Sequence, residues 1–586
     1  MDKFYRKRYK ILGGPGCGKT TRVMRTLGNY FKQGLLPSQV LMIGFAKATV
    51  ETLKERAMKE LNFSSKQAES IKTIHKYCRD KLGQQYDVFN SAAKTSFLKK
   101  LKTDPDNWVM LDTEKDKTDQ EFAVWDDHTT EKFKLIFQII GFARHDGIMV
   151  SKRYLKKKTL DKILEFHASY ENFKFSKIQK HEIAYCYKNF VKFKKSNNMI
   201  DFEDMLEKAL APNIIFPDYK VVMVDEVQDL TPLEWRVIAK LGLTTEELYL
   251  VGDDDQAIYG WKGADVKIFQ KWSCDESRKI ILPKTHRLPV KIYNLAQQIA
   301  DNITHRIGNK YEPCKVNCHG KDNQEGIIQP LFEMDELDEI IDVDSSAIMC
   351  ARGWAQCHQY VRYLKDRGII WKEKSKTLEN MGSLKSSFPE TPRKILKSWD
   401  ALKKGVGING KEVRNVIEFF KPGLVQRGKK TALITPDLCP EEFHNPDNRF
   451  TFADLKEKYF ILADIHKPWF DVFNFTTSRK KEKKKPNALF DDDLDFNNYL
   501  KTCYDRDPTL SKADIIVATI HGVKGMERKK VILCSNWGFS YHNYYSGLVS
   551  KEDEELRICY VGVTRAQEEL YILRNGYRKN FPYLMQ

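Results

Sequence analysis

The sequence predicts an α/β protein with two parallel-sheet cores, and three observations carry that prediction. The run VVMVDEVQDLT (residues 221–231) is an apolar strand that stops at two adjacent carboxylates, Asp225 and Glu226. A strand buried on both faces reads this way where its carboxyl end opens into a crevice of the sheet. GGPGCGKTT (residues 13–21) joins a short strand to a helix through a glycine-rich turn. The alternation of strand, turn and helix then returns far along the chain, in SSAIMCARGWAQCHQYVRYLKDRGII (residues 345–370) and ADIIVATIHGVKGMERKKVILCSNW (residues 513–537). At 586 residues the chain exceeds what one core can serve, and roughly three to five domains are expected.

The glycine-rich turn comes first and is the most specific signal. Glycines at Gly13, Gly16 and Gly18 let the loop turn its backbone N–H groups inward and approach phosphates closely. Lys19 is placed to reach the β and γ phosphates, and Thr20, followed by Thr21, offers a hydroxyl to a magnesium ion. Asp225 suits a ligand of the same ion, and Glu226 suits a base that orients and deprotonates a water for attack on a phosphoryl group. Taken alone, the acidic pair fits equally well a helix N-terminus that complements the macrodipole. The phosphate loop decides for chemistry.

QVLMIGFAKATVETLKERA (residues 39–57) predicts a strand leading into a basic amphipathic helix, and TIHKYC (residues 73–78) follows. Residues 81–198 are helical by pattern, aromatic and rich in lysine. Such lysines usually form a solvated face; interleaved with Tyr154, Phe190 and Phe193 they also suit a sugar-phosphate backbone whose bases meet the rings. DFEDML (residues 201–206) reads as a capped helix start. In LYLVGDDDQAIYGWKGAD (residues 248–265), Gln256 past the strand end is placed to sense a γ-phosphate, and Tyr259 and Trp261 to stack on bases.

THRLP (residues 285–289) sets Arg287 just before a helix. Residues 372–507 change character, with a basic run RKKEKKKP (residues 479–486) and an acidic DDDLD after it, the charge pattern of an exposed loop or linker. EELRICYVGVTRAQEELYILRN (residues 554–575) places Arg565 after what reads as a strand-to-helix turn, a setting suited to bridging a cleft and stabilising charge on a transferring phosphoryl group.

Composition narrows the partner. Lys and Arg total 98 against 80 Asp and Glu, a net charge of +18, which favours a polyanion such as nucleic acid over an acidic small molecule. No apolar run is long enough to span a membrane and no signal-peptide pattern is present, so a cytoplasmic protein is expected. The 12 cysteines form no disulfide framework. Cys314, Cys318, His319, Cys350, Cys357 and His358 lack the paired short spacings of a zinc knuckle, and no zinc is expected there.

In order, GGPGCGKTT, DEVQD, GDDDQAIYGWKGAD, TIHGVKGME and YVGVTRAQEELYI resemble the motif series of the UvrD/Rep-type superfamily 1 DNA helicases. The resemblance implies two RecA-like motor domains, each with a largely helical inserted subdomain, and ATP with magnesium in the cleft between them. It divides the chain into residues 1–80 plus 199–275, an insertion 81–198, residues 276–372 plus 508–586, and an insertion 373–507. By position, Lys19, Thr20, Asp225, Glu226 and Gln256 come from the first motor domain, and Arg287 and Arg565 from the second. Glu527 matches the residue that contacts the nucleotide sugar, and His286 the aromatic that stacks on the base. Phe45, Thr73, His75, Tyr259, Trp261, Lys262 and His521 match positions along the single-stranded DNA path. The implied partners are single-stranded DNA and duplex–single-strand junctions, with replication or repair proteins, for an enzyme monomeric in solution. A 3′ to 5′ helicase and a translocase that clears proteins with little unwinding both satisfy these motifs; a phosphate-loop kinase or switch has no use for two arginine motifs and a base-stacking loop.

Departures from the family pattern carry an expectation of their own. Only MDKFYRKRYKIL precedes the phosphate loop, without the glutamine that usually reads adenine, and His286 stands in place of a tyrosine. Lys262 replaces an arginine and Ala46 a threonine, and the chain reaches Gln586 soon after the last motif, without the family's usual tail, which suits a viral or phage enzyme of replication or repair. Phosphate contacts are common to all nucleoside triphosphates, whereas base-edge hydrogen bonds discriminate because a wrong base leaves buried groups unpaired. Stacking on His286, Phe4 or Tyr5 is indifferent to the base. GTP is therefore expected to support DNA-stimulated hydrolysis within about tenfold of ATP, a gap of roughly 1.4 kcal/mol. Specificity constants for the four ribonucleotides check this, and a preference for ATP of about a hundredfold or more overturns it.

Overall fold

The computed structural model describes residues 7–83, 85–102, parts of 133–145, 180–314, 325–374, 384–475, 490, 492–510, 514–537, 549–574 and 580–584. The first half of the chain supplies strands β1 (Lys7–Leu12), β2 (Val40–Gly44), β3 (Ile71–Thr73), β4 (Asp87–Val88), β5 (Met199–Ile200), β6 (Val221–Val224), β7 (Glu247–Gly252) and β8 (Lys279–Ile281). Six of them form one sheet in the order β3-β2-β6-β7-β1-β8, and every pairing is parallel. Strands β2 and β6 are buried along their whole length, which is why they are apolar without alternation. One face packs on Val23, Leu27, Val50 and Leu53, the other on Ile74, Leu206, Leu233 and Phe269.

Parallel pairing brings five carboxyl ends to one edge: β1 runs into the phosphate loop, β2 into Phe45, β3 ends at Thr73, β6 leads to Asp225 and β7 to Asp253. Register keeps them level. Leu12 lies opposite Gly252, Val224 opposite both Ile43 and Leu250, and Gly44 opposite Thr73.

The second half supplies β9 (Ile327–Leu331), β10 (Ser346–Ala351), β11 (Lys372–Lys374), β12 (Leu384–Ser386), β13 (Asp514–Thr519), β14 (Arg528–Cys534) and β15 (Ala566–Leu573). They form a seven-stranded sheet, β12-β11-β13-β10-β14-β15-β9, parallel except for the antiparallel edge pair β11–β12.

The sheets overrun the expected boundaries. Strand β8 lies beyond residue 275 yet pairs with β1, and β11 and β12 reach beyond residue 372 within the second sheet. All three strands (KII, KEK and LKS) are short and partly or wholly exposed, β8 and β12 at sheet edges and β11 next to one, and their pattern is too weak to read from sequence.

Inside the first insertion, β4 pairs with β5, and Phe97, Ile136, Ile140, Ile183, Phe190 and Phe193 make a separate core. Phe190 and Phe193 are therefore packing residues, not base contacts; Tyr154 lies outside the described residues. Lys194 is buried too, bonded to Asp201 and Asp204 at 2.5 Å each. Asp201 caps the helix Phe202–Ala209 as the sequence predicts, accepting from the Asp204 backbone N–H. Beside it Arg144, 2% exposed, bonds to Asp201, Asp204 and Glu207.

In the second insertion the described acidic residues Asp492 to Asp495 open the helix Asp493–Arg506, with Asp492 accepting from the Asp495 N–H at 2.8 Å, and are not a linker. The basic run 479–486 lies outside the described residues. Arg565 does not follow the expected strand-to-helix turn: RICYVGV is the end of a helix, Val549–Val563, and Arg565 stands in a helix-to-strand turn before β15. Its β-branched residues look like a strand, but the segment is buried on every side, Ile558 to Val563 included, and tertiary packing overrides propensity. Among the described residues no helix is long and apolar enough to cross a membrane.

Candidate active site and nucleic-acid path

The phosphate loop leaves β1 at Leu12 and enters the helix Lys19–Lys32. Gly16 and Gly18 take φ of +71° and +80°, which L side chains rarely adopt, so the sequence needs glycine at both. Lys19 Nζ donates to the carbonyls of Gly13 (2.8 Å) and Gly14 (3.4 Å), which holds its charge over the loop. Thr20 is half-buried in the first turn of that helix, and Thr21 Oγ1 accepts from Arg56 at 3.3 Å.

Asp225 and Glu226 follow β6 on the same edge. Asp225 is 3% exposed, and burial, then the neighbouring Glu226 carboxylate, push its carboxyl up to about 7 against the pull of Lys19. Glu226 goes the other way: burial opposes its ionisation, but Lys524 and Lys19, a hydrogen bond from Gln228 (2.5 Å) and Arg565 outweigh it and hold it below the usual carboxylate range. Glu226 also sits at φ +55°, a left-handed backbone that costs a side chain about 1–3 kcal/mol and is found where a site over-determines it. The two adjacent acids are thus tuned apart. An ionised carboxylate stands beside a buried carboxyl that a divalent cation would stabilise in its charged form.

Across the cleft, Arg565 is 1% exposed and donates to Gln256 Oε1 (3.2 Å), Thr564 Oγ1 (3.0 Å) and the carbonyls of Val561 (2.9 Å) and Met526 (3.3 Å). Burial, and repulsion from Arg287, lower its pKa to about 9, so it stays a cation at neutral pH. Gln256 in turn donates to Asp253 Oδ2 at 2.5 Å. Arg287 pairs with Glu527, donates to the Thr564 carbonyl at 3.3 Å, and lies against Gly16, where an added Cβ would fall 2.3 Å from the Arg287 Cβ. Glu527 therefore meets Arg287, and it also accepts from Gln567 at 3.1 Å. His286 is exposed, with its backbone N–H on the Gly16 carbonyl at 2.9 Å.

Behind Gln256 the loop presents rings. Tyr259 lies 5.3 Å from Phe45 and 6.4 Å from Trp261 between ring centroids; Trp261 stands edge-on to His521 at 6.0 Å. Lys262 Nζ sits 5.0 Å from the Tyr259 ring and 5.2 Å from the Trp261 ring, and Trp261 is 39% exposed, a large ring in the open. His521 is kept neutral by burial and nearby cations, its pKa lowered to about 3, and so donates from Nε2 to the Ile258 carbonyl at 3.1 Å. Thr73 and His75 lie further along the edge. Thr73 caps the helix Ile74–Leu82, accepting from Lys76 N at 3.2 Å, and His75 stands 5.4 Å from Phe202, which is exposed.

Lys524 was not singled out by sequence reasoning, although it sits between His521 and Glu527 in HGVKGME. It pairs with buried Asp229, donates to the Gln256 carbonyl at 2.7 Å, and lies 3.9 Å from Glu226 and 5.1 Å from the Tyr259 ring centroid. One cation therefore touches three residues singled out in the sequence, Glu226, Gln256 and Tyr259.

Residues 2–276 match the UvrD/REP helicase N-terminal domain, and residues 473–576 match the UvrD-like helicase C-terminal domain. The chain belongs to the UvrD/Rep helicase family. Its relatives include a "Probable DNA helicase II homolog" of Mycoplasma capricolum, 24% identical over 97% of this chain and 82% of that protein. DNA helicase II of Rickettsia typhi is 23% identical, over 97% and 90%. The ATP-dependent DNA helicase PcrA of Staphylococcus aureus is 22% identical, over 96% and 80%. In this UvrD/Rep-family helicase the two parallel sheets are the RecA-like motor domains, and the cleft between them holds Lys19, Glu226, Gln256, Arg287 and Arg565.

Proposed function

We infer that this enzyme, an ATP-dependent DNA helicase, moves 3′ to 5′ along single-stranded DNA and separates strands at duplex junctions by opening and closing the cleft. The observation that carries the reading is the bond from Arg565 to Gln256, which ties the second sheet to the nucleotide edge of the first through a loop that also carries Tyr259 and Trp261. Lys19 and the loop N–H groups bind the phosphates; Glu226 takes the proton of the attacking water; Arg287 and Arg565 meet the charge that develops on the γ-phosphoryl oxygens. Magnesium fits the hard oxygen donors Thr20 and Asp225, where it would neutralise phosphate charge and draw the Asp225 carboxyl into its ionised form. In this reading residues 81–198 and 373–507 are insertions, the first extended to include β5 at 199–200, which pairs with β4, and the second interrupted by β11 and β12 at 372–374 and 384–386, which belong to the second sheet.

ATP hydrolysis with and without single-stranded DNA, alongside unwinding of duplexes bearing a 3′ or a 5′ tail, tests it. Stimulation by the strand and unwinding from the 3′ tail are expected; unwinding from the 5′ tail alone reverses the polarity, and no stimulation defeats the motor.

The exposed ring gives a separate prediction. Removing a stacking ring costs about 1 to 3 kcal/mol of single-strand affinity. Trp261→Ala is expected to weaken DNA binding and DNA-stimulated hydrolysis while basal hydrolysis holds. A lowered melting temperature with unchanged DNA affinity makes Trp261 a packing residue instead.

A further inference from the structure

Sequence patterns gave no reason to look at Tyr311. It follows the helix Val290–Asp301 and is 4% exposed, with its ring laid on the phosphate loop. A Cβ added at Gly14 would meet three atoms of that ring, at 2.3, 2.5 and 2.9 Å, and these are its nearest neighbours. Gly14 takes no left-handed φ, so its lack of a side chain answers to the tyrosine rather than to backbone conformation. The same residue gives its carbonyl to Lys19.

The other end of Tyr311 reaches the arginine. Its hydroxyl shares a 2.8 Å hydrogen bond with the hydroxyl of Tyr560, which is wholly buried in the last turn of the helix Val549–Val563. That turn holds Arg565: the Tyr560 carbonyl accepts from Thr564 N at 3.0 Å, and the Val561 carbonyl from Arg565 Nε at 2.9 Å. Tyr293 fixes the middle, donating its hydroxyl to the Tyr311 carbonyl at 2.5 Å with the rings edge to face at 5.3 Å. A rigid spacer thus runs from the phosphate loop to the turn that aims Arg565.

We propose that Tyr311 is a positioning residue for hydrolysis: seated on Gly14 and bonded to Tyr560, it sets how closely the Arg565 turn approaches the phosphate loop when the cleft is closed. The assignment rests on the helicase reading above. Tyr311 touches no reacting atom in it, and its effect falls on the step that needs Arg565 in place rather than on nucleotide capture.

The test uses the full chain and DNA-stimulated ATP hydrolysis. Tyr311→Phe keeps the ring and deletes one hydrogen bond, so kcat is expected to fall about threefold to tenfold with KM for ATP within about twofold of the wild type. Tyr560→Phe should match it, and the double variant should be no worse than either, because both delete the same bond. Gly14→Ala should be more damaging, and Tyr311→Leu in that background should recover activity by removing the ring that the methyl strikes. This arm still reports if the phenylalanine variants fold poorly. Wild-type activity without strand stimulation defeats the helicase reading and this assignment with it. A stimulated wild type with an equally active Tyr311→Phe, additive losses in the double variant, or no recovery of Gly14→Ala overturns this assignment alone.

Discussion

Glu226→Gln is expected to bind ATP with near-normal affinity and to hydrolyse it about two to four orders of magnitude more slowly, with or without DNA. The carboxylate stands ionised because Lys524 and Lys19 overcome its burial, and the left-handed backbone at Glu226 turns it away from the line of β6. Glutamine keeps the shape and the hydrogen-bonding capacity and loses only the ability to take a proton. Lys19→Ala is the complementary control, expected to abolish productive nucleotide binding, since the amine that sits over the loop at Gly13 and Gly14 is then gone. Direct binding of a labelled nucleotide, beside single-turnover hydrolysis, separates the two. Near-normal turnover by Glu226→Gln would remove it from the role of base.

Arg565→Ala is expected to keep DNA affinity and ground-state ATP binding while turnover falls by about two to three orders of magnitude, because the charge it meets is largest in the transition state. Its burial makes the side chain rigid, with four acceptors fixing the guanidinium, so that little reorganisation accompanies the reaction. Arg287→Ala belongs to the same class. Equal losses of ATP affinity and turnover would show that these arginines hold the nucleotide rather than the transition state.

The grouping of these residues at one sheet edge was legible in the sequence because the phosphate chemistry proposed for them constrains neighbouring residues: a loop of glycines with Lys19, and a strand that ends in Asp225 and Glu226. Gln256 and its rings were legible for the same reason, all lying within one loop. What escaped is contact across the chain. Lys524 meets Gln256 from 268 positions away, and Tyr311 meets Tyr560 from 249, and no local pattern encodes such meetings. Phe190 and Phe193 were open to two readings because a basic aromatic helix looks alike whether its rings face a core or a polymer. The turn at Arg565 was misread because the last turns of the helix before it, Ile558 to Val563, are buried on every side and have no polar face to give them a period.

The span from Gln256 to Trp261 also says something about the efficiency of the machine. A motor leaks when its engine can run with the clutch disengaged, and leakage grows with the length and softness of the transmission. Here the transmission is a few residues long, and Lys524 grips it at the Gln256 carbonyl and at the Tyr259 ring together. In the proposed function, fuel spent and track advanced are read off the same short piece of backbone, so slippage has almost no slack in which to arise, and idling in the absence of a strand should be slow.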